Sequence, residues 1–177
     1  MTPPDLSRRH HEPPRMSFRP RRLVPGLILA LVILVVDQLS KIYIVGSVMD
    51  PPRVIEVTGF FNLVMAWNYG VSFGLFNEPG TQRWMLIALA LAVSAALAVW
   101  MTREPARATR LALGAIIGGA IGNVIDRVRW GAVADFLDFH AFGYHWPAFN
   151  VADAAIVVGA AVLVLDNLFR PAAKESD

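Results

Sequence analysis

The chain has no cysteine, which at once removes disulfides, thiolate nucleophiles and cysteine-based metal sites. Charge is scarce as well. Only 17% of the 177 residues are Asp, Glu, Lys or Arg, where a soluble domain carries about a quarter. The formal net charge is a small +2. The arginines are not interleaved with stacking aromatics on a polar surface, so nucleic acid is not an expected partner. There is no internal repeat of the kind from which many transporters are built. No H-E-x-x-H or comparable helix-borne metal motif is present.

What the chain has in quantity is apolar sequence. Hydrophobic residues make up 55% of it and cluster in runs instead of spreading at an amphipathic period, so lipid is the expected solvent. Four segments, at about 24–45, 84–101, 111–128 and 147–168, approach the ~20 residues that a ~30 Å hydrocarbon layer requires. The third is the weakest, because Asn123, Asp126 and Arg127 occupy its end. Residues 1–22 form a Pro- and Arg-rich tail that cannot bury a core and is expected to be disordered. The run after it is too long for a signal-peptide core and lacks a small-residue cleavage site, so it reads as an uncleaved first span. Residues 170–177 form a second tail. Lys and Arg concentrate in the N-terminal tail, in the link between spans two and three, and at the C-terminus. Both termini are therefore expected to be cytoplasmic, with the loops 46–83 and 129–146 outside. Within the first loop, RVIEVTGFFNLVMAW reads as one or two strands. Residues 70–76 read as a short interfacial helix or turn. Trp84, Trp130, Tyr144 and Trp146 fit an aromatic belt at the same surface.

On this topology nearly every costly polar residue falls at one membrane face. Asp37 and Lys41 lie in the outer half of span one, Asn123, Asp126 and Arg127 end span three, and Asn150 and Asp153 begin span four. Asn68 and Asp135 sit in the outer loops. Intramembrane ionisable groups cost free energy and mark function by default. Asp135 and Asp153 are the leading pair. Taken singly, Asp135 reads more readily as a loop residue and Asp153 as a helix-start residue; the convergence of the others favours a shared site. Asp153 is placed within two turns of a helix beginning near Pro147. Two neighbouring carboxylates retain one proton between them and so supply a base and an acid together.

The remaining polar residues have plainer readings. Asp138 fits a polar rim, and Asp50 and Asp166 fit solvated span ends. Asp37 and Lys41, four apart, share a helix face and are expected to pair, with substrate contact the lesser reading. Asn123, Asp126 and Arg127 share a face of span three, where Arg127 is expected to hold Asp126 ionised in a supporting role. Gly114, Gly118 and Gly122 form two small-xxx-small steps for close helix packing. Ser72 lies in a G-x-S-x-G match, but that elbow needs an α/β sheet this chain cannot build. His140 and His145 read as interfacial residues in preference to metal ligands.

Taken together, VVDQLSKIYIV, FFNLVMAWNYGVSFGLF, GGAIGNVIDRV, GAVADFLDF and WPAFNVADAAI resemble, in order, the signature blocks of the bacterial lipoprotein signal peptidases (signal peptidase II). The resemblance runs from about Val35 to Gly159. It implies a membrane α-helical fold: four transmembrane helices with a small extracytoplasmic β-cradle and a short peripheral helix, in the bacterial inner membrane with its active site at the periplasmic face. It also implies an aspartyl endopeptidase that cuts diacylglyceryl-modified prolipoproteins before the lipidated cysteine. The catalytic dyad carried over is Asp135 and Asp153. Positions that support or line the site are Asp37, Lys41, Asn68, Gly119, Asn123, Asp126, Arg127, Phe149, Asn150 and Ala152. The chain departs from the family where Asn68-Tyr69-Gly70-Val71-Ser72-Phe73 replaces a common Asn-Thr-Gly-Ala-Ala-Phe. The implied chemistry uses water and needs no metal or cofactor. Its partners are the prolipoprotein and membrane lipid, and nothing requires more than a monomer. Two rivals remain open at this point. One is a metal-dependent membrane hydrolase using Asp135, His140, His145 and Asp153; the other is a proton-coupled transporter with Asp37, Lys41 and Asp153 as a relay.

Overall fold

A computed structural model describes residues 23–70 and 80–169. The segment expected as a short peripheral helix lies almost wholly outside these residues, as do Ser72 and both tails. Four long helices dominate: α1 (Val24–Tyr43), α2 (Thr81–Arg103), α3 (Arg107–Trp130) and α4 (Val151–Phe169). A wider π-helical turn over Ile44–Val48 extends α1. All four are long and apolar enough to cross a bilayer, and the chain is a multi-pass membrane protein.

The helix ends differ from those expected at 84–101 and 111–128. Both α2 and α3 run further at each end: Thr81, Thr102, Arg103, Arg107 and Arg129 are exposed in the added turns, while Thr109 and Arg110 are buried there and hydrogen-bonded to Asp166 and to the Glu104 and Pro105 carbonyls. The span expected at 147–168 begins later, at Val151. Phe149 is held in a β-bridge with Leu137 and cannot also be helical.

The third span is weakly hydrophobic for a reason the fold supplies. Over half of its most apolar window (56%) is buried inside the protein, against 11–17% for the other three. It is the central helix and faces protein more than lipid. Its glycines let neighbours approach at backbone distance: a side chain on Gly114 would strike Gly26, and one on Gly118 would strike Ala30, both on α1. Gly119 likewise lies against Ala152 of α4. Such small-residue contacts replace the hydrophobic driving force that lipid removes. Gly118→Val should therefore force α1 and α3 apart and destabilise the protein by about 1–3 kcal/mol. A lowered unfolding temperature in detergent would register this; an unchanged one would mean the interface yields freely.

An antiparallel sheet in the order β1-β2-β3-β4 caps one end of the bundle. Its strands are β1 (Ile55–Thr58), β2 (Phe61–Asn68), β3 (Val133–Ala141) and β4 (Tyr144–His145). The stretch RVIEVTGFFNLVMAW thus forms a hairpin, and the segment expected as a loop around Asp135 forms a strand. Gly131, at φ +83°, ends α3 and turns the chain into β3. That left-handed conformation costs glycine nothing. Phe136 on β3 packs on Ile44 and Met49 at the end of α1 and anchors the sheet to the helices. Trp67 meets Trp130 edge-on at 5.6 Å, while Arg83 and Arg129 lie over the rings of Trp84 and Trp130.

Candidate active site

The site is built outward from a buried ion cluster. Asp37, Lys41 and Asp126 are each fully buried. Lys41 Nζ lies 2.9 Å from Asp37 Oδ2 and 2.7 Å from Asp126 Oδ2, and it donates to Asn123 Oδ1 at 3.1 Å. The expected pairing of Asp37 with Lys41 is present. The expected pairing of Asp126 with Arg127 is corrected: Lys41 is the cation bonded to Asp126, and Arg127 donates to the Asn123 carbonyl. Adjacent residues on a helix point about 100° apart, so Asp126 turns toward α1 while Arg127 cannot. Gln38, which sequence reasoning passed over, joins the cluster. Its amide donates to Asp126 Oδ1 at 2.9 Å, Asp37 Oδ2 at 3.1 Å and the Gly122 carbonyl at 3.2 Å. Its only sequence signal was its place between Asp37 and Lys41.

Two aspartates sit above this cluster. Asp153 occupies the first turn of α4, earlier in the helix than a start near Pro147 implies. Asn150 caps that turn: its Oδ1 accepts the Asp153 N–H at 3.0 Å, and Asp153 Oδ2 accepts the Asn150 N–H at 3.4 Å. This reciprocal box satisfies two helix-start donors, and the helix dipole there suits an anion. Asn123 Nδ2 donates to Asp153 Oδ1 at 2.8 Å. Asp135 comes from β3, and Asn150 Nδ2 donates to its Oδ1 at 2.6 Å. Asn150 therefore bonds both carboxylates, one through its side chain and one through its backbone. Asn68, at the end of β2, uses Oδ1 to accept the Gly70 N–H at 2.9 Å and gives Asp135 a side-chain hydrogen bond.

The neighbouring positions act through the backbone. The Phe149 carbonyl accepts the N–H groups of Phe136 and Leu137, and its own N–H donates to the Leu137 carbonyl. This clamps residue 149 to β3 and brings Asn150 beside Asp135. Ala152 is fully buried, and its N–H donates to Asp37 Oδ1 at 2.9 Å. Gly119 and Gly122 leave room for that close approach. A β-carbon at Gly122 would lie 2.5 Å from Asp37 Oδ2. Arg127 keeps a buried Nε without a partner, and its charge is felt by Asp126, Asp135 and Asp153.

Asp138 does not belong to this group. Three residues from Asp135 on a strand, it points to the opposite face. There it accepts from Asn62 at 3.0 Å and meets His145 Nδ1 at 2.9 Å. Burial works to raise its pKa, but the hydrogen bonds from His145 and Asn62 outweigh it and hold the group below the usual carboxylate range. His140 stacks on His145 at 5.0 Å, about 17 Å along the strand from Asp135. Among the described residues no group of three or more His, Asp or Glu side chains is arranged to hold a metal ion. Asp166, expected as a solvated end, accepts a hydrogen bond from Thr109 at 2.6 Å.

Asp135 is the electrostatically perturbed member of the site. Burial first, and then the charge of Asp153, raise its pKa from 3.8 to about 6. Hydrogen bonds from Asn68 and Asn150 and the charge of Lys41 pull weakly the other way. Because the folded state favours the protonated form, its stabilising contribution is full below the unfolded pKa near 3.8 and is lost as pH rises through about 6. The loss is about 3 kcal/mol. Asp135→Asn should thus be more stable than the parent above pH ~6, with the gap closing below pH ~4. Unfolding midpoints measured across that range would show it; a constant gap would contradict this origin.

The arrangement can be compared with known proteins. A profile described as Signal peptidase (SPase) II matches residues 29–169 of this chain. The chain belongs to the signal peptidase II family. The lipoprotein signal peptidase of Methylorubrum extorquens is 48% identical over 151 residues, spanning 83% of this chain and 86% of that one. That of Paraburkholderia phytofirmans is 45% identical over 161 residues, spanning 89% and 92%. A solved bacterial membrane enzyme, determined in meso at 2.3 Å resolution, superposes with a TM-score of 0.72 at 27% identity, covering 86% of this chain and 92% of that one. As a signal peptidase II family member the chain is a peptidase, and neither the metal hydrolase nor the transporter reading is favoured.

Proposed function

We propose that this signal peptidase II family member is an aspartyl endopeptidase that removes signal peptides from prolipoproteins, cutting just before a diacylglyceryl-modified cysteine. The observation that carries the reading is the tethering of Asp135 and Asp153 to the same residue, Asn150. Two carboxylates held together at the lip of a membrane bundle supply a shared proton and a water-activating base. Relatives named lipoprotein signal peptidase at high coverage support the substrate class.

In the mechanism, Asp153 begins as the base. It takes a proton from water as the water oxygen attacks the scissile carbonyl carbon. Asp135, which holds its proton up to about pH 6, donates it to the leaving amide nitrogen, and the C–N bond breaks. The pair titrates as a unit, so these are starting positions of one shared proton. Asn68 and Asn150 orient Asp135, and Asn123 orients Asp153. Arg127 supplies a nearby positive charge against the oxyanion. The diacylglyceryl chains stay in the bilayer beside the spans and hold the peptide bond at the surface. On this reading the sheet and dyad lie at the periplasmic face of the inner membrane, with both termini cytoplasmic, as the Lys and Arg distribution supports.

The direct test is incubation of the purified protein with a diacylglyceryl-modified prolipoprotein. Release of the signal peptide, with none from the unlipidated precursor, is the expected result. Equal cleavage of both precursors, or of neither, would overturn the substrate assignment.

A further inference from the structure

The two aspartates of the dyad lie in the same tripeptide. Asp135 ends Val133-Ala134-Asp135 and Asp153 ends Val151-Ala152-Asp153. One tripeptide is in a strand and the other in a helix, so shared secondary structure does not explain the match. Their surroundings do agree. Both alanines are fully buried. In each, the peptide N–H immediately before the dyad aspartate donates to an aspartate of the Lys41 cluster. Ala152 N–H donates to Asp37 Oδ1 at 2.9 Å, and Ala134 N–H donates to Asp126 Oδ2 at 3.3 Å. Lys41 bonds both of those carboxylates, and Gln38 bridges the same two, sharing Asp37 Oδ2 with Lys41 and taking the other oxygen of Asp126.

We infer that Asp37, Gln38, Lys41 and Asp126 form a positioning device that sets the separation of the dyad by gripping the peptide in front of each aspartate. Lys41 is the spacer, because its one ammonium bonds both gripping carboxylates. It also fixes the Asn123 amide, whose oxygen accepts from Lys41 and whose nitrogen must then face Asp153. Alanine at 134 and 152 follows from the same requirement. Both are fully buried, and the Ala152 methyl lies only 3.5 Å from where a β-carbon on Gly122 would sit, so a larger side chain at either position would have to displace its neighbours. The inference rests on the proposed proteolytic reading, and it deepens that reading by assigning Gln38 and the twin tripeptides a role in it.

The test separates positioning from stability. Removing one carboxylate leaves Lys41 with one carboxylate and the Asn123 amide, so charge stays balanced and the fold is expected to survive. Asp37→Asn supplies one acceptor oxygen where the site uses two, for Lys41 and for Ala152. Asp126→Ala removes the grip on Ala134. Gln38→Met keeps the volume and loses the bridge. In the full-length protein, Asp37→Asn and Asp126→Ala should lower kcat by about 100-fold, the scale of a misplaced reacting group. KM should stay near that of the parent. Gln38→Met should show a smaller loss of the same kind.

The accompanying readout is the pH dependence. The charged groups facing the dyad are Lys41 and Asp37 from α1, and Asp126 and Arg127 from α3. Altered spacing should move the limbs of the pH–rate profile and the carboxyl 13C titrations of Asp135 and Asp153. Unchanged titrations with an unchanged kcat in folded Gln38→Met and Asp37→Asn would overturn the inference. So would a loss confined to unfolding temperature, with the pH profile intact. If the parent protein cleaves no lipidated precursor, the functional reading fails by itself. The titrations still decide whether the cluster positions the pair.

Discussion

Asp135→Asn and Asp153→Asn are each expected to abolish signal-peptide release while leaving a folded protein. Asparagine matches aspartate in size and can keep the contacts with Asn150 and Asn123. What it cannot do is give up or accept the shared proton. General acid–base catalysis by one group contributes about 10²–10⁴-fold, and the two groups act as a unit, so either substitution should remove most of the rate. A loss of at least ~10³-fold in kcat/KM is the expected scale. The assay is cleavage of a lipidated precursor by purified variants whose unfolding temperatures match or exceed that of the parent. Near-parental processing by either would remove the dyad assignment. The Asp135 variant carries the further mark described above, greater stability at neutral pH.

Lys41→Met is expected to have the largest effect on stability. Lys41 is fully buried and bonds two fully buried carboxylates. Deleting the cation leaves two like charges facing each other in a low-dielectric seam, where breaking a buried ion pair costs about 3–5 kcal/mol. That is a large fraction of the ~5–15 kcal/mol by which proteins are stable. A steep fall in unfolding temperature and in membrane yield is expected. Neutralising both acids in the same chain, as Asp37→Asn with Asp126→Asn, should restore much of it, because amides need no counter-ion. A Lys41→Met protein as stable as the parent would show that water or lipid headgroups reach the cluster.

The differing sensitivities of these positions follow from what each one touches. Asp135 and Asp153 are held by amides that tolerate neutralisation. Lys41 is held by charges that do not. Chemistry and stability are therefore carried by adjacent layers of one polar network, joined at Asn123 and at the N–H groups of Ala134 and Ala152.

Local properties of the chain decided a good deal without any coordinates. Transfer of apolar residues to lipid is additive along a segment, so the four spans were legible from composition, including the third despite its polar end. The cost of a charge in hydrocarbon is also local, and it singled out Asp37, Lys41, Asp126 and Asp153 before any partner was known. The mix of β-branched and aromatic residues over 53–67 pointed to one or two strands, and the structure has two, β1 and β2. Partner choice was another matter. That Asp126 bonds Lys41 instead of Arg127, and that Gln38 belongs with them, depends on how far α1 can sink into the glycine face of α3. That Asp135 enters the site while Asp138 clasps His145 depends on strand formation in a segment that reads as loop. The late start of α4 depends on Phe149 pairing with β3 across a dozen residues. Hydrogen bonds act over about 3 Å, and only the packed tertiary structure determines which backbones come that close.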